Sequence, residues 1–506
     1  MELSKLVDIL TTSNAKIYLV GGAVRDQFLG LNPKDKDYCV TGISQEMFEH
    51  LFPTAELQGK DFPVYRMNIG GSICEVALAR KERKVSEGHN GFSIHTSPDI
   101  RIQDDLARRD ITINAMAIDL TTDALIDPFL GFHDLRDKII KATSEAFVED
   151  PLRVYRAARF AAQFDFRIDD GTKTMMNELK SELSTLSIER VTEEMKKALL
   201  SDNPSRFFRY LKETNVLDVH FPEIDCLSDC EQHPIYHPEG NVFEHTMQGL
   251  DAARYFTKEM SEQSTLKVMF GILLHDVGKK VTKDIHPIKG TPTYHKHESA
   301  GVPIAEAFLD RFKLQSIKKA VLFGVEYHMF FHDAFTATKP AKAVDFMEGK
   351  FELGQDGYFR KPGVINTMGI QEFVALCMAD AVSRIKYSNH LELVLFTMYV
   401  VIEKFDSLKE FKMSTLVNSL AVILGDHEAA NKLATDIIIV AKHKNIMEIY
   451  HEESKHVTCS LDMDELKERY SGEALGYQIH SDKRKQRARH MNKARSIMKD
   501  YIAKLV

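Results

Sequence analysis

The chain has 506 residues, 44% apolar and 28% charged, with a formal net charge of −8. That length exceeds one core and implies two to four domains, and the acidic balance excludes unspecific coating of nucleic acid while permitting a local basic surface. No apolar run reaches the roughly eighteen residues of a membrane span, and the opening MELSKLVDIL does not read as a signal peptide. The six cysteines (39, 74, 226, 230, 377 and 459) lack CxxC spacing, so reduced thiols and a cytoplasmic location are expected.

In chain order, KIYLV reads as a short buried strand, followed by a glycine turn and a helix from AVRDQFLG. DYCVTG is a second strand, SICEVALAR a third, and MAIDLTTDALIDP a hairpin turning at TTD. From about residue 145 the apolar spacing becomes helical, in DPLRVYRAARFAAQF, GTKTMMNELKSELSTL, VTEEMKKALL and PSRFFRYLKETNVL. HPIYHPEGNV and GKFELGQDGYFRKPG are expected to be irregular. LELVLFTMYVVIEKF and STLVNSLAVILG read as later helices, and KRKQRARHMNKAR carries seven Lys or Arg in thirteen residues, either a solvated face or a contact to a nucleic-acid backbone.

Two groups of residues carry chemistry. In GGAVRD, glycines after a strand bring backbone amides close to a ligand's phosphates, with Gly22 in the turn and Arg25 as a cation. The spacing is neither GxGxxG nor a P-loop. Behind it, Asp35 and Asp37 stand at i and i+2. If a strand begins at the pair, both carboxylates share a face and suit two Mg²⁺ ions. The second group is ILLHDVGKK, where an apolar helix ends by presenting His275 and Asp276. Imidazole with carboxylate suits Ni²⁺, Mn²⁺, Fe or Zn²⁺. His245 in FEHTMQ, His295 and His297 in YHKHESAG and Asp380 in ALCMADAVSR are its expected partners; His328 and His332 in EYHMFFH are weaker candidates.

With GGAVRD and DKD, the motifs RRDITINAMAID, DPFLGFHDLRDKII and EDPLRVYRAARFAAQFDFRI stand in order. In these the chain resembles the class II CCA tRNA nucleotidyltransferases of the poly(A) polymerase head-domain superfamily, and is closest to the bacterial CCA-adding type with a C-terminal HD domain. The resemblance spans about residues 16–390. It implies an α+β fold: an N-terminal polymerase β-like nucleotidyltransferase head with a mixed sheet at 1–140, then all-helical neck (141–225), HD (226–390) and tail (391–506) domains. It implies Asp35 and Asp37 as catalytic Mg²⁺ ligands, with Glu75 a further strand carboxylate of lesser weight. Gly22 and Arg25 fall at the triphosphate and Arg109 at ribose and phosphates, supported by Asp110 and Asn114. Asp150 and Arg153 fall at the incoming base, with Arg156 and Arg159 sharing their helix face or forming a salt-bridged surface. One Asp/Arg pair can read the amino donor and ring-nitrogen acceptor that cytosine and adenine share, and reject uracil and guanine. Asp127, Gly131 and Asp134 resemble a head–neck hinge, and Glu189 and Arg190 brace helices.

The H…HD…H…D order resembles HD phosphohydrolases, with His245, His275, Asp276 and Asp380 as core ligands and His297 as a further one, holding a transition metal such as Ni²⁺. The implied activities are CCA addition to tRNA from CTP and ATP, and hydrolysis of 2′,3′-cyclic phosphates, 2′-nucleotides and other phosphomonoesters. No membrane or protein partner is expected. The rival readings are a poly(A) polymerase with the same head, an HD phosphohydrolase with a degenerate head, and a non-catalytic tRNA-binding protein.

Overall fold

The computed structural model describes residues 1–329 apart from 34, 59–63, 85–91, 234–236 and 238, then 352–353, 358–360, 368–383 and a few scattered residues beyond. Contacts divide the chain into two compact units, Met1–His220 and Phe221–Val506. The predicted helices at LELVLFTMYVVIEKF and STLVNSLAVILG and the basic KRKQRARHMNKAR lie outside the described residues.

In the first unit, α1 (Leu3–Thr12) leads into β1 (Lys16–Val20), α2 (Gly22–Phe28), β2 (Asp37–Thr41), α3 (Gln45–Leu51) and strands β3 (Glu56–Gln58), β4 (Val64–Ile69) and β5 (Ser72–Leu78). A hairpin of β6 (Arg80–Lys84) and β7 (Phe92–Thr96) precedes α4 (Ile102–Ala107), β8 (Ala117–Asp119), β9 (Leu125–Ile126) and α5 (Gly131–Arg136). The sheet is mixed, in the order β3-β4-β5-β2-β1-β8-β9, with β2 and β5 parallel and the other neighbours antiparallel. Strand alternation explains it: in β4 residues 65, 67 and 69 are buried while 66 and 68 are exposed. Tyr18, Val20 and Cys39 pack against Ile102, Leu106 and Ala117 to close one face. SICEVALAR, expected as one strand, is interrupted at Ala79, so its last residue starts the next hairpin.

The predicted helix at 150–164 is α6 (Leu152–Phe164), rich in alanine and long-chain residues that favour a helix. The Asp150 carboxylate accepts the Leu152 amide at its start, and Asp165 ends it in the left-handed region. GTKTMMNELKSELSTL, expected as one helix, is two, α7 (Asp170–Glu178) and α8 (Lys180–Leu183). Then come α9 (Ile188–Leu199), α10 (Ser205–Glu213) and α11 (Leu217–His220). α6 packs against α9 and α10. A short parallel pairing of Ile139–Ile140 with Arg167–Ile168 interrupts the expected all-helical run.

In the second unit, α12 (Pro222–Asp225) precedes α13 (Val242–Phe256), α14 (Glu262–Leu274), α15 (Lys279–Thr282), α16 (His297–Arg311), α17 (Gln315–Tyr327) and α18 (Ile370–Val382). α14 is the centre: every residue from Thr265 to Leu274 is buried, and it packs on α13, α17 and α18. That accounts for the all-round apolar ILL before the histidine. GKFELGQDGYFRKPG is not wholly irregular: Glu352–Leu353 and Tyr358–Arg360 pair with each other, and Tyr358–Phe359 with Met368–Gly369. No described helix is long and apolar enough to cross a membrane. The five described cysteines are free.

Candidate functional site

The head site forms where β1, β2 and β5 lie side by side. Gly21 follows β1 with φ +69°, a conformation that disfavours side chains, and an added Cβ would lie 2.6 Å from Arg109 Nη1. The Arg109 guanidinium therefore lies against the glycine turn. It is fixed there by its bond to the Asn114 carbonyl (3.3 Å) and its ion pair with Asp105 (3.4 Å).

Asp37 opens β2, paired to Val20 on one side and to Glu75 on the other. Asp35 stands in the bend two residues earlier. The strand thus begins at the second acid rather than at the pair, so Asp35 reaches the site from a bend. Burial, then the charge of Glu75, push the Asp37 carboxyl above its ordinary value; Arg109 opposes and Asp35 adds. Among the described residues the oxygens of Asp35, Asp37 and Glu75 do not close into a ligand group within 4.8 Å; what links the three acids is the pairing of β2 with β5 and their shared effect on Asp37, and carboxylate oxygens are the donors Mg²⁺ takes. Glu75 is the nearest-registered acid to Asp37, a stronger position than the sequence alone gave it.

The arginines expected at substrate are largely committed to protein partners. Arg25 is buried, giving Nη1 to Asn114 Oδ1 at 2.6 Å and Nε and Nη2 to Asp26, with the Phe164 ring 4.6 Å from its guanidinium carbon. Asn114 in turn donates to Asp110 Oδ1 (3.2 Å), and Asp110 Oδ2 accepts Arg156 Nε (2.8 Å). Arg156 Nη1 lies 3.8 Å from Glu194, whose other oxygen accepts Arg159 Nε. One ladder therefore runs Arg25–Asn114–Asp110–Arg156–Glu194–Arg159, joining GGAVRD, RRDITINA, the helix after EDPLR and α9. Burial would raise the Asp110 carboxyl, but Arg156, Asn114 and Arg153 outweigh it and hold it at about 2. Arg153 is buried and donates to the backbone carbonyls of Ala146 (2.7 Å) and Arg108 (2.6 Å). Asp150 pairs instead with Arg190 on α9, at 3.0 Å. Arg190, read from sequence as a helix brace, thus touches the carboxylate expected at the base. In the expected hinge, Asp127 accepts the amides of Gly131 and Phe132, and Asp134 accepts the Thr112 hydroxyl at 2.7 Å.

The HD group is tighter. Among the described residues, three clusters bring ligand atoms within 4.8 Å, all in the second unit: His245/His275/Asp380, Asp276/His297/His328, and His237/Glu239/His245. The helices explain the aim. His275 ends α14, His328 ends α17 and His297 starts α16. Each sends Nδ1 to the carbonyl three residues back, of Ile272 (2.7 Å), Val325 (2.8 Å) and Tyr294 (2.9 Å). A carbonyl only accepts, so Nδ1 carries a proton in each ring and Nε2 is the nitrogen turned inward, the one free to bind a cation once it carries no proton of its own. His245 is oriented likewise by Glu239 (3.0 Å), which it shares with His237. Asp276 joins the two main clusters, with Oδ2 3.2 Å from His275 and Oδ1 3.2 Å from His297. Lys279 lies 2.6 Å from Asp276 and is held by Gln232. Gly278 lets α16 pass close by, since a Cβ there would run into the backbone of His297 and Gly301.

His245, His275, Asp276, His297 and Asp380 therefore assemble as expected. His328 belongs with them: it is 1% exposed, and burial with the charges of His275 and His297 pushes its pKa down to about 3, keeping it a neutral ligand. Its signal was present, a histidine closing an apolar helix like His275. Glu239, Lys279 and Gln232 were missed, having no spacing signature. His295 is exposed and outside the clusters, and His332 lies outside the described residues.

Residues 17–141 match the family described as Poly A polymerase head domain, 165–227 the probable RNA and SrmB-binding site of polymerase A, and 242–351 the HD domain. A "Multifunctional CCA protein" of Nitrosospira multiformis is 38% identical over 377 residues, 74% of this chain and 85% of the relative. One from Mannheimia succiniciproducens is 39% identical over 374 residues, covering 72% and 84%. The chain belongs to the CCA tRNA nucleotidyltransferase family with an HD domain. A solved CCA-adding enzyme, apo form I, superposes with a TM-score of 0.51 at 22% identity, covering 84% of this chain and 91% of that one, a likeness of fold.

For this CCA tRNA nucleotidyltransferase, the depressed Asp110 carboxyl stabilises the fold above its ordinary pKa of 3.8, and that contribution is lost as pH falls through about 2. Asp110→Asn should lower unfolding free energy at pH 7 by about 2 kcal/mol and flatten the acid limb of stability, read by urea unfolding across pH. In the HD cluster, burial would lower the His275 pKa, but Asp276 and Asp380 raise it to about 9. A metal must displace that proton. Apparent metal affinity should then rise roughly tenfold per pH unit between neutrality and pH 9 for this one group, measured by chelator competition. A flat profile contradicts it.

Proposed function

We propose that the protein adds and repairs the 3′-terminal CCA of tRNA without a nucleic-acid template, using CTP and ATP, by two-metal nucleotidyl transfer at Asp35 and Asp37. The observation that carries this reading is the register of the acids: Asp37 paired against Glu75, its carboxyl pushed up by burial and then by Glu75 and Asp35, beside a glycine turn covered by Arg109. Asp35, Asp37 and Glu75 would hold Mg²⁺, which when bound offsets the charge of the triphosphate and favours ionisation of the attacking hydroxyl. Arg109 steadies the phosphates beside Gly21 and Gly22. Arg25 supports this turn through Asn114 rather than by direct contact. The tRNA 3′-hydroxyl attacks the α-phosphorus in line, forming a P–O bond as the bond to pyrophosphate breaks. Asp150 and Arg153, on one turn of the chain, read the base edge shared by cytosine and adenine; Arg156 and Arg159 fix their helix.

The HD cluster supports a second activity, metal-dependent hydrolysis of phosphoesters such as 2′,3′-cyclic phosphates and 2′-nucleotides, which suits trimming of damaged tRNA ends. His245, His275, Asp276 and Asp380 would hold one ion and Asp276, His297 and His328 a second. An imidazole-rich set favours a transition metal such as Ni²⁺ over Mg²⁺, and the ion would activate water. Lys279 supplies a fixed positive charge for a phosphate.

The two sites should separate by mutation. Given a tRNA lacking CCA, the wild type should add C residues from CTP alone and complete the end when ATP is present; long A tracts from ATP alone would instead indicate a poly(A) polymerase. Asp35→Ala with Asp37→Ala should abolish labelled CTP incorporation with tRNA binding and 2′,3′-cyclic-AMP hydrolysis retained. His275→Ala with Asp276→Ala should do the reverse.

A further inference from the structure

We infer that Arg190 is a specificity-determining positioning residue for nucleotide choice, acting through Asp150; this rests on the reading of Asp150 as a base-facing carboxylate. The two oxygens of Asp150 are held differently. Oδ1 accepts the Leu152 amide (3.0 Å), which fixes it to the first turn of α6, and Oδ2 accepts Arg190 Nη2 (3.0 Å). A carboxylate offers about four lone-pair sites, so two remain for the exocyclic amino group of a base. Without Arg190, rotation about the side chain would leave Oδ2 free to turn toward water or to accept from the wrong edge.

The guanidinium that faces this carboxylate comes from α9. Arg153, one turn along α6, spends its two terminal nitrogens on the carbonyls of Ala146 and Arg108. Arg190 uses only one of its own. Its Nη1 is buried and finds no acceptor among the described residues. A buried donor left without an acceptor is costly, so Arg190 is held beside Asp150 at the expense of one of its own hydrogen bonds.

α9 also fixes the distance. Arg190 and Glu194 are four residues apart and share a face. Arg190 grips Asp150 at the start of α6, and Glu194 grips Arg159 and Arg156 farther along it. The carboxylate is thereby set relative to the helix that carries it from two points, and the charge pattern of α9 (positive, then negative) complements that of α6.

The test is single addition of C or U to a tRNA lacking CCA, read as kcat/KM for CTP over UTP in the full-length protein. Arg190→Met should lower this ratio at least about tenfold, the range expected when a polar readout loses its orientation. Arg190→Lys, which keeps charge but not the planar fork, should restore part of it. Asp150→Asn should lower the ratio by itself, and adding Arg190→Met to it should change nothing more. A wild-type ratio in Arg190→Met, or losses that multiply in the double variant, would overturn the assignment to Asp150. If Arg190→Met fails to fold, Arg190→Lys decides by the same ratio, an unchanged value counting against. Failure of the wild type to add C at all would instead remove the reading on which the inference stands.

Discussion

Asp110 is a fully buried carboxylate, and a buried charge cannot be left without partners. Its two oxygens face opposite ways, one to Ile111 and Asn114 and one to Arg156. Much of the first unit follows from satisfying that one group. Asn114 must bring its carbonyl oxygen to Arg25, which seats the helix after the glycine turn. Arg156 must come from α6, which draws that helix against the head. Glu194 must then balance the remaining positive charge of Arg156 and Arg159. The ladder places the glycine turn at one end and the neck helices at the other, so the two are registered by charge as well as by apolar packing.

The HD cluster obeys a different rule. The clustered imidazoles are aimed by what each ring does on its other side. Three histidines donate Nδ1 to the carbonyl one turn behind them and a fourth donates to Glu239, so each Nε2 is prealigned. The surroundings shift the imidazoles in opposite directions: His275 up, as Asp276 and Asp380 outweigh burial, and His328 down through burial and its histidine neighbours. The cluster is thus poised to exchange a proton for a cation, unlike the head acids, where excess negative charge asks for one directly.

Much of this was legible in the sequence, for physical reasons. KIYLV, DYCVTG and the hairpin around TTD are short apolar runs bounded by turn residues, and they fold where expected. The residues assembling the HD cluster announced themselves by histidines and acids at the ends of apolar helices. What was not legible is partner choice. Nothing in the spacing of Arg25 says that it faces Asn114 rather than a phosphate, or that Asp150 pairs with a residue forty positions away on α9. Those contacts depend on how helices cross. His328 looked like one of an i, i+4 pair on a helix; ending α17 is what turns it inward. Glu239 lies in a His- and Pro-rich loop whose composition gives no sign of a buried carboxylate.

Asn114 is the most informative residue for the ladder, since its side chain joins Arg25 to Asp110. Titration of a non-hydrolysable CTP and UTP analogue into Asn114→Ala, with Mg²⁺ present, measures both halves of the nucleotide site at once. Registration by the ladder requires that CTP affinity and the preference for CTP over UTP fall together. Loss of affinity with the preference intact, or the reverse, would show that the glycine turn and the base-reading helix are set independently.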